Sequence, residues 1–427
     1  MQKIKNSEKL ATTQLRQHAL QIAKDGLAAI DTQAVIKQTV SIEGQTLRVG
    51  PLKFELDNRR ILLAGVGKCA GEAAIALENI LGDKLTAGII LDIAPTKGLT
   101  KTKPLIGSHP MPSAKSVAAA QEIVAFLKQT TSEDLVIVVI SGGGSTLLCL
   151  PPDGFSCLDE KNLLEALFRS GATIQEINIL RKHLSSARGG GLAKAAYPSQ
   201  VVGLIFSDVP SNQLEFVASG PTVKDSTTIA DAQQVLKRYN LNAPKLLETP
   251  KADKYFEAVY NHLTVSNQTA LAAMEKSALK LGYQTTIETT ELSGEARLVG
   301  RQIGGQIHTS QPTSCRLFGG ETTVTVNGSG HGGRNQELAI AAADEIGQGE
   351  LVLALASDGI DNSDYAGALV DSSTKDRATK LGLDPSQFLK NNDSYSFFSV
   401  VGDYLDTGRT GANVSDLIIA LKGKGNG

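Results

Sequence analysis

The sequence predicts an α/β protein of two domains. Short apolar runs rich in Val, Ile and Leu alternate with longer segments of helical period, which is the pattern of a largely parallel sheet covered by helices on both faces. Glycine clusters fall at the ends of those runs, where such a sheet turns into its helices; the chain has 42 glycines in 427 residues. The alternation is interrupted by a polar stretch from about Asp225 to Asp253, which reads as helical, and then resumes. We therefore expect a Rossmann-like domain over residues 1–245 and a smaller, mixed α/β domain over 246–427.

The elements follow in order. Residues 13–30 form an amphipathic helix, with Leu15, Ala19, Leu20, Ile22 and Leu27 as its apolar positions. A polar, hairpin-like stretch runs to Asn58. Arg60–Ala64 is a strand, Lys68–Leu81 a helix, Ala87–Ile93 a strand and Ala114–Lys128 a helix. Val136–Ile140 is a buried strand ending at Ser141. Helices cover 159–170, 173–186 and 190–197, and Val201–Ser207 is the next strand. Pro244 and Pro250 break the polar stretch that holds the domain hinge. In the second set, Leu263–Ser266 and Thr285–Thr289 are strands, and Thr269–Leu281 and Gly294–Thr309 are helices. Cys315–Phe318 and Thr322–Val326 read as a hairpin around Gly319 and Gly320. Asn335–Ile346 is a helix, and Leu351–Ala356 and Asp416–Leu421 are strands.

Composition narrows the function. A formal charge of −2 and 4% aromatic residues, with no tryptophan, argue against nucleic-acid binding. The N-terminus MQKIKNSEKL lacks the apolar core of a secretory signal, and no apolar run is long enough to span a bilayer. Cys69, Cys149, Cys157 and Cys315 show no metal-site spacing and read as reduced thiols, mostly in the core. The expectation is a cytoplasmic enzyme acting on a small molecule.

The motif that organises the chain is DLVIVVISGGGSTLLCLP, residues 134–151. A strand, a loop of Gly142, Gly143 and Gly144, and a helix start would bring backbone N–H groups to an anion, with Ser141 and Ser145 adding hydroxyl donors. A plain turn is the other reading, but three consecutive glycines cost more backbone entropy than a plain turn needs. RILLAGVGKCAG, residues 60–71, supports two readings. Gly65, Gly67 and Ala70 fit a dinucleotide-binding turn with Asp92 as the ribose ligand. Lys68, at the start of the following helix, is a positive charge placed for phosphates instead, although the stretch lacks the Walker A pattern.

Other stretches also end strands or open helices. NILRKHLSSARGGG clusters Arg181, Lys182, His183 and Arg188, which equally describes an exposed basic helix. Asp208, at the end of the 201–207 strand, lies where α/β ligands bind, or else caps a turn. GGETTVTVNGSGHGGRNQE places Glu321 beside paired glycines and opens a helix with Arg334 and Asn335 after what reads as a flexible glycine loop. SDGID offers Asp358 and Asp361 to Mg²⁺ or a hydroxyl, or is an Asp-Gly turn. TGRTGANVSD, residues 407–416, reads as an Asx-type loop.

Together SGGGSTLLCLP, NILRKHLSSARGGGLA, SDVP, ASGPT, GGETTVTV, GGRNQE, SDGID and TGRTGANVSD resemble, in the same order, the motifs of the glycerate 2-kinase family, from about residue 10 to 422. The resemblance implies a kinase-like N-terminal domain and a C-terminal domain with a MOFRL region at about 312–422. It implies phosphorylation of D-glycerate by ATP to 2-phosphoglycerate, with Mg²⁺ or another divalent cation, and it leaves a homodimer open. Lys68 and Arg334 then line an interdomain active site, and Asp208 is the candidate base or hydroxyl-orienting group. Gly67, Ser141, Gly142, Gly143, Gly144, Ser145, Arg181, Glu321 and Asn335 bind substrate or nucleotide, and Asp358 assists the metal. The sequence departs from the family pattern at Ser211 and Asn212, at Ser357 and Asn362, at Arg409 and Ala412, and at Arg188, where the family has lysine. The alternatives are an NAD(P)-dependent hydroxypyruvate reductase, a name older members carry, and a binding protein without catalysis.

Overall fold

The computed structural model describes residues 3–209, 213–242 and 245–424. Ser211, Asn212 and Pro244 lie outside that description. The chain divides into two compact units, one of Thr32–Thr264 and one of Met1–Asp31 with Val265–Gly427.

The first unit opens with three antiparallel strands, β1 (Val40–Glu43), β2 (Thr46–Val49) and β3 (Leu52–Glu55). This is the hairpin-like stretch with one strand more than expected. A six-stranded sheet follows, of β4 (Arg60–Val66), β5 (Leu85–Asp92), β6 (Thr102–Ile106), β7 (Asp134–Ser141), β8 (Gln200–Phe206) and β9 (Val259–Val265), in the order β6-β5-β4-β7-β8-β9. The pairings from β6 to β8 are parallel. Every residue of β7 is buried, as expected of a strand covered on both faces. Its side chains join those of β4, β5 and β8 in one apolar core with the helix Ala114–Leu127. The order fixes where a ligand site belongs. From β4 the chain winds outward through β5 and β6, then returns to place β7 on the other side of β4. The crevice outside the carboxyl ends of β4 and β7 is therefore the topological switch point, where open α/β sheets bind ligands.

The second unit holds a mixed sheet of β10 (Gln284–Leu292), β11 (Ser314–Gly320), β12 (Glu350–Ala356), β13 (Gly367–Asp371), β14 (Tyr404–Leu405) and β15 (Asp416–Lys422), in the order β10-β11-β15-β12-β13-β14. Only β10 and β11 pair in parallel; the other pairings are antiparallel. The helices Ala296–Thr309 and Arg334–Ala343 share a core with it.

Several expectations change. Cys315–Phe318 and Thr322–Val326 do not form a hairpin. Gly319 and Gly320 are strand residues of β11, paired with Leu417 and Asp416. They are glycines because a neighbour comes close: a Cβ on Gly320 would sit 2.3 Å from the Leu292 backbone. The polar stretch 225–253, expected to be helical, holds the helix Ile229–Arg238, and its other described residues mostly have no regular secondary structure. The strand expected at Leu263–Ser266 is the end of β9 and belongs to the first sheet, so the unit boundary falls at 264/265 and not at 245/246.

The N-terminal helix, Gln14–Ala29, also groups with the second unit. Its Arg16 is buried and donates to Asp371 at 2.6 and 2.8 Å and to Asp403 at 2.7 and 3.1 Å. Those partners lie far along the chain, so periodicity alone could not reveal the arrangement. No helix among the described residues is long and apolar enough to cross a membrane.

Candidate active site

Two strand edges carry the predicted residues, one in each unit. In the first unit β4 runs into Gly67 and Lys68, and β7 runs into the loop Gly142–Gly144. The two turns interlock. The Lys68 N–H donates to the Gly142 carbonyl (3.0 Å), and the Cys69 N–H donates to the Ser141 hydroxyl (3.3 Å). Gly67 has φ +120°, and a Cβ there would lie 2.2 Å from Ser141 Oγ and 2.5 Å from its carbonyl oxygen. Only glycine lets these turns come so close. Gly143 is left-handed (φ +83°), and the Lys68 stem crosses it so closely that a Cβ would be 3.2 Å from Lys68 Cγ.

The N–H groups of Gly142 and Gly143 hydrogen-bond to no other group among the described residues. The expected helix after the loop is a turn of four residues, Gly144–Leu147, too short for much macrodipole. The positive potential at this edge comes instead from Lys68 and the loop N–H groups. The Ser145 and Ser219 hydroxyls are 3.0 Å apart. Asp208 follows β8 on the same edge and is close enough to raise the Cys69 thiol, which burial chiefly pushes up to about 12.

Asp92 is engaged by the backbone around it. It is buried and accepts from the N–H groups of Gly71 (2.9 Å), Ile93 (2.6 Å) and Ala94 (3.4 Å). One carboxylate oxygen thus serves the first turn of the helix Ala70–Leu81, and the other holds the turn that leaves β5.

In the second unit the edge is built around Arg334, the first residue of its helix. Its Nε and Nη2 donate to the two oxygens of Asp416 (2.6 and 3.0 Å), and Nη1 donates to Glu321 (2.5 Å). Burial opposes the guanidinium charge, but Asp416 and then Glu321 outweigh it and hold the group above its ordinary value. Asp361 takes the N–H groups of Asn335 (3.1 Å) and Gln336 (2.9 Å) and both of their side-chain amides (3.1 Å each). It thus caps this helix from a distant strand end. Burial pushes both Asp361 and Asp416 up to about 6; the charge of Asp416 adds to the shift of Asp361, while Arg334 restrains that of Asp416. A cavity of about 580 Å³ opens beside Arg334, with Glu321, Glu337, Asp361, Asn362 and Asn392 in its wall.

The glycine loop before Arg334 is strapped down, contrary to the expectation of flexibility. The N–H groups of Asn327 and Gly328 donate to Asn392 Oδ1, that of Ser329 to Asn391 Oδ1, and that of His331 to Asp393 Oδ1. The Gly330 N–H donates to the Asn391 carbonyl. Gly328 and Gly330 allow close backbone approach and spend their donors within the chain. Asp358 accepts from the Ile360 N–H (3.0 Å), closing its Asp-Gly turn. No group of three or more His, Cys, Asp or Glu among the described residues could hold a metal ion.

Comparison with known proteins follows the same two halves. Residues 18–250 match a family model described as a domain of unknown function, DUF4147, and residues 314–416 match the MOFRL family. A D-glycerate 2-kinase of Thermotoga maritima is 36% identical over 95% of this chain and 98% of its own. The chain belongs to the glycerate kinase family. A crystal structure of a glycerate kinase from Thermotoga maritima superposes with a TM-score of 0.85 at 35% identity, covering 95% of this chain and 99% of that one. A putative hydroxypyruvate reductase of Agrobacterium vitis is 37% identical over 85% of this chain and 87% of its own.

Within this glycerate kinase family member, sequence reasoning placed Gly67, Lys68, Ser141–Ser145 and Asp208 on one strand edge, and the structure brings them together there. Glu321, Arg334 and Asn335 gather on the other, with Asp358 in the turn that also carries Asp361. Arg181 is on neither strand edge; it belongs to the helix Ile174–His183. Asp416 was missed as a site residue. The signal was present: a carboxylate opening the apolar run DLIIAL begins a buried strand and needs a buried cation.

Proposed function

We propose that the protein is an ATP-dependent kinase that phosphorylates D-glycerate at its 2-hydroxyl, giving 2-phosphoglycerate and ADP. The observation that carries this reading is the interlocked pair of turns at the switch point. It offers two uncommitted backbone donors and the Lys68 charge to an anion, while Asp92, the residue a dinucleotide would need, already accepts from three backbone N–H groups. In-line phosphoryl transfer asks mainly for positioning and charge neutralisation. Gly142–Ser145 would hold nucleotide phosphates through N–H and hydroxyl donors. Lys68 would follow the transferring group as a mobile charge, and Asp208 would orient the acceptor hydroxyl. Arg334, held by Asp416 and Glu321, is the anion-binding group of the second unit's edge.

A divalent cation that came with the nucleotide would need only one or two carboxylates from the protein; we assign Asp358, in the turn after β12, to it. That cation would neutralise phosphate charge.

The test is a product assay with purified protein, Mg²⁺, ATP and D-glycerate, the phosphoglycerate isomers being resolved by NMR. Formation of 2-phosphoglycerate and ADP is expected. NADH consumption on hydroxypyruvate without ADP formation would replace the proposal with the reductase reading. Lys68→Ala and Arg334→Ala should each abolish most turnover with the fold retained; near-normal turnover removes that residue from the site.

A further inference from the structure

One charge in the first unit is left unbalanced. Past the glycine loop, the segment Ser185–Gly190 is laced to Leu148–Leu150. The Ser185 hydroxyl donates to the Leu148 carbonyl (2.6 Å) and accepts from the Leu150 N–H (3.0 Å), and the Ser186 N–H donates to the Leu150 carbonyl (3.0 Å). The Gly189 N–H donates to the Ser219 carbonyl (2.9 Å), and Ser219 in turn meets Ser145. Arg188 is therefore carried on a segment tied on both sides to the loop and its partners.

Arg188 is 1% exposed. Its Nη1 forms an ion pair with Glu160 (2.8 Å) and donates to the Arg181 carbonyl (3.0 Å), but its Nε and Nη2 are buried without a hydrogen-bond partner among the described residues. Arg181 is half-buried, and its guanidinium makes no hydrogen bond or ion pair among the described residues. Burial and the neighbouring Arg188 charge push Arg181 down to about 10, so it stays protonated near neutrality. The carboxylate serving the pair is Glu160, which also accepts from the Cys149 thiol (3.2 Å). Lys182 has partners of its own, Asp225 (2.5 Å), which Lys251 also approaches (3.8 Å), and Glu215 (3.6 Å).

Two guanidiniums thus have one carboxylate near them, paired with Arg188, and these three groups carry one positive charge more than Glu160 balances. Unpaired charge in such surroundings is costly, and unsatisfied buried donors add to the cost. We propose that Arg181 and Arg188 form a receptor for one oxyanion of the reactants, Glu160 holding Arg188 in place. The chemistry is that of a carboxylate or a phosphate oxygen, supplied by the hydroxy acid or by the nucleotide. The choice of ligands rests on the kinase reading; the surplus charge does not.

The test is Arg181→Gln in the full chain, with Arg181→Lys as the conservative variant. Ligand binding is read by calorimetry with D-glycerate, with ADP and with glycerol as a neutral control, and the ligand-free protein is melted in parallel. Charge-assisted hydrogen bonds of this kind predict a roughly ten- to hundredfold weaker Kd for one of the two anions. Arg181→Lys should recover part of it, and glycerol should show no dependence on residue 181. Loss confined to D-glycerate assigns the carboxylate; loss confined to ADP assigns a phosphate. The ligand-free Arg181→Gln protein should melt no lower than the wild type, because the substitution removes repulsion with Arg188. A merely structural arginine would lower it. Unchanged affinity for both anions in Arg181→Gln overturns the receptor, and so does unchanged affinity in Arg181→Lys together with a glutamine variant that fails to fold. Because binding is measured without turnover, failure of the kinase assay would leave this result readable.

Discussion

Asp416→Asn should separate stability from activity. Asp416 is 2% exposed and grips Arg334 with both oxygens. Its carboxyl is nevertheless raised from 3.8 to about 6, because burial outweighs the pull of Arg334. Such a rise corresponds to about 3 kcal/mol of penalty on the charged form at pH 7. Asparagine removes that penalty and keeps an acceptor of nearly the same shape. The unfolding free energy should therefore stay level or rise by as much as about 3 kcal/mol. Arg334 would keep Glu321, which is exposed, and lose its buried bidentate anchor. A displacement of about 1 Å at a charge-stabilising group is enough to cost on the order of 100-fold in turnover. Urea denaturation at pH 7 and ADP release with D-glycerate measure the two quantities. The reasoning fails if stability drops by the roughly 3–5 kcal/mol typical of a broken buried ion pair, or if turnover is unchanged.

Three further predictions follow from the same contacts. Turnover should decline as pH falls through about 6, where Asp361 and Asp416 take up protons. Both carboxyls lie above their unfolded values, so between pH 6 and 4 they add stability as pH falls, and the double asparagine variant should lose that part of the melting profile. Gly67→Ala combines a left-handed φ with a clash against the Ser141 backbone and should cost about 1–3 kcal/mol and weaken ATP binding; an unchanged Kd for ATP would refute the interlock. Arg16→Met leaves Asp371 and Asp403 without their shared partner and should cost about 3–5 kcal/mol in chemical denaturation; a loss below about 1 kcal/mol would mean that this network does not anchor the N-terminal helix.

The elements whose signals are local were legible. DLVIVVIS is apolar at nearly every position, so β7 and the turn after it could be placed from the sequence, and the position of Lys68 followed in the same way. What escaped depends on partners distant in sequence. β6 contains Pro104, which edge strands tolerate but which reads as a break. Gly319–Gly320 looked like a turn because a glycine that admits a neighbouring strand cannot be told from one that reverses the chain. Asp361 was visible as a candidate, but its actual work, satisfying the start of the helix at Arg334, depends on residues 25 and 26 positions away. The buried grip of Asp416 on Arg334 spans 82 positions.

The discontinuous second unit has a consequence for synthesis. Residues 32–264 can collapse as soon as they emerge, yet Gln14–Ala29 leaves the ribosome before them and its own unit is not yet made. Its Arg16 must wait for Asp371 and Asp403, which are 355 and 387 residues later. At about 5–20 residues per second that is an interval of roughly 20–80 s. Throughout it, a helix with one apolar face stays available to chaperones, to proteases and to the completed C-terminal part of another copy. A nascent chain that exchanges this helix with its neighbour would emerge as a swapped dimer, built from the same contacts as the monomer.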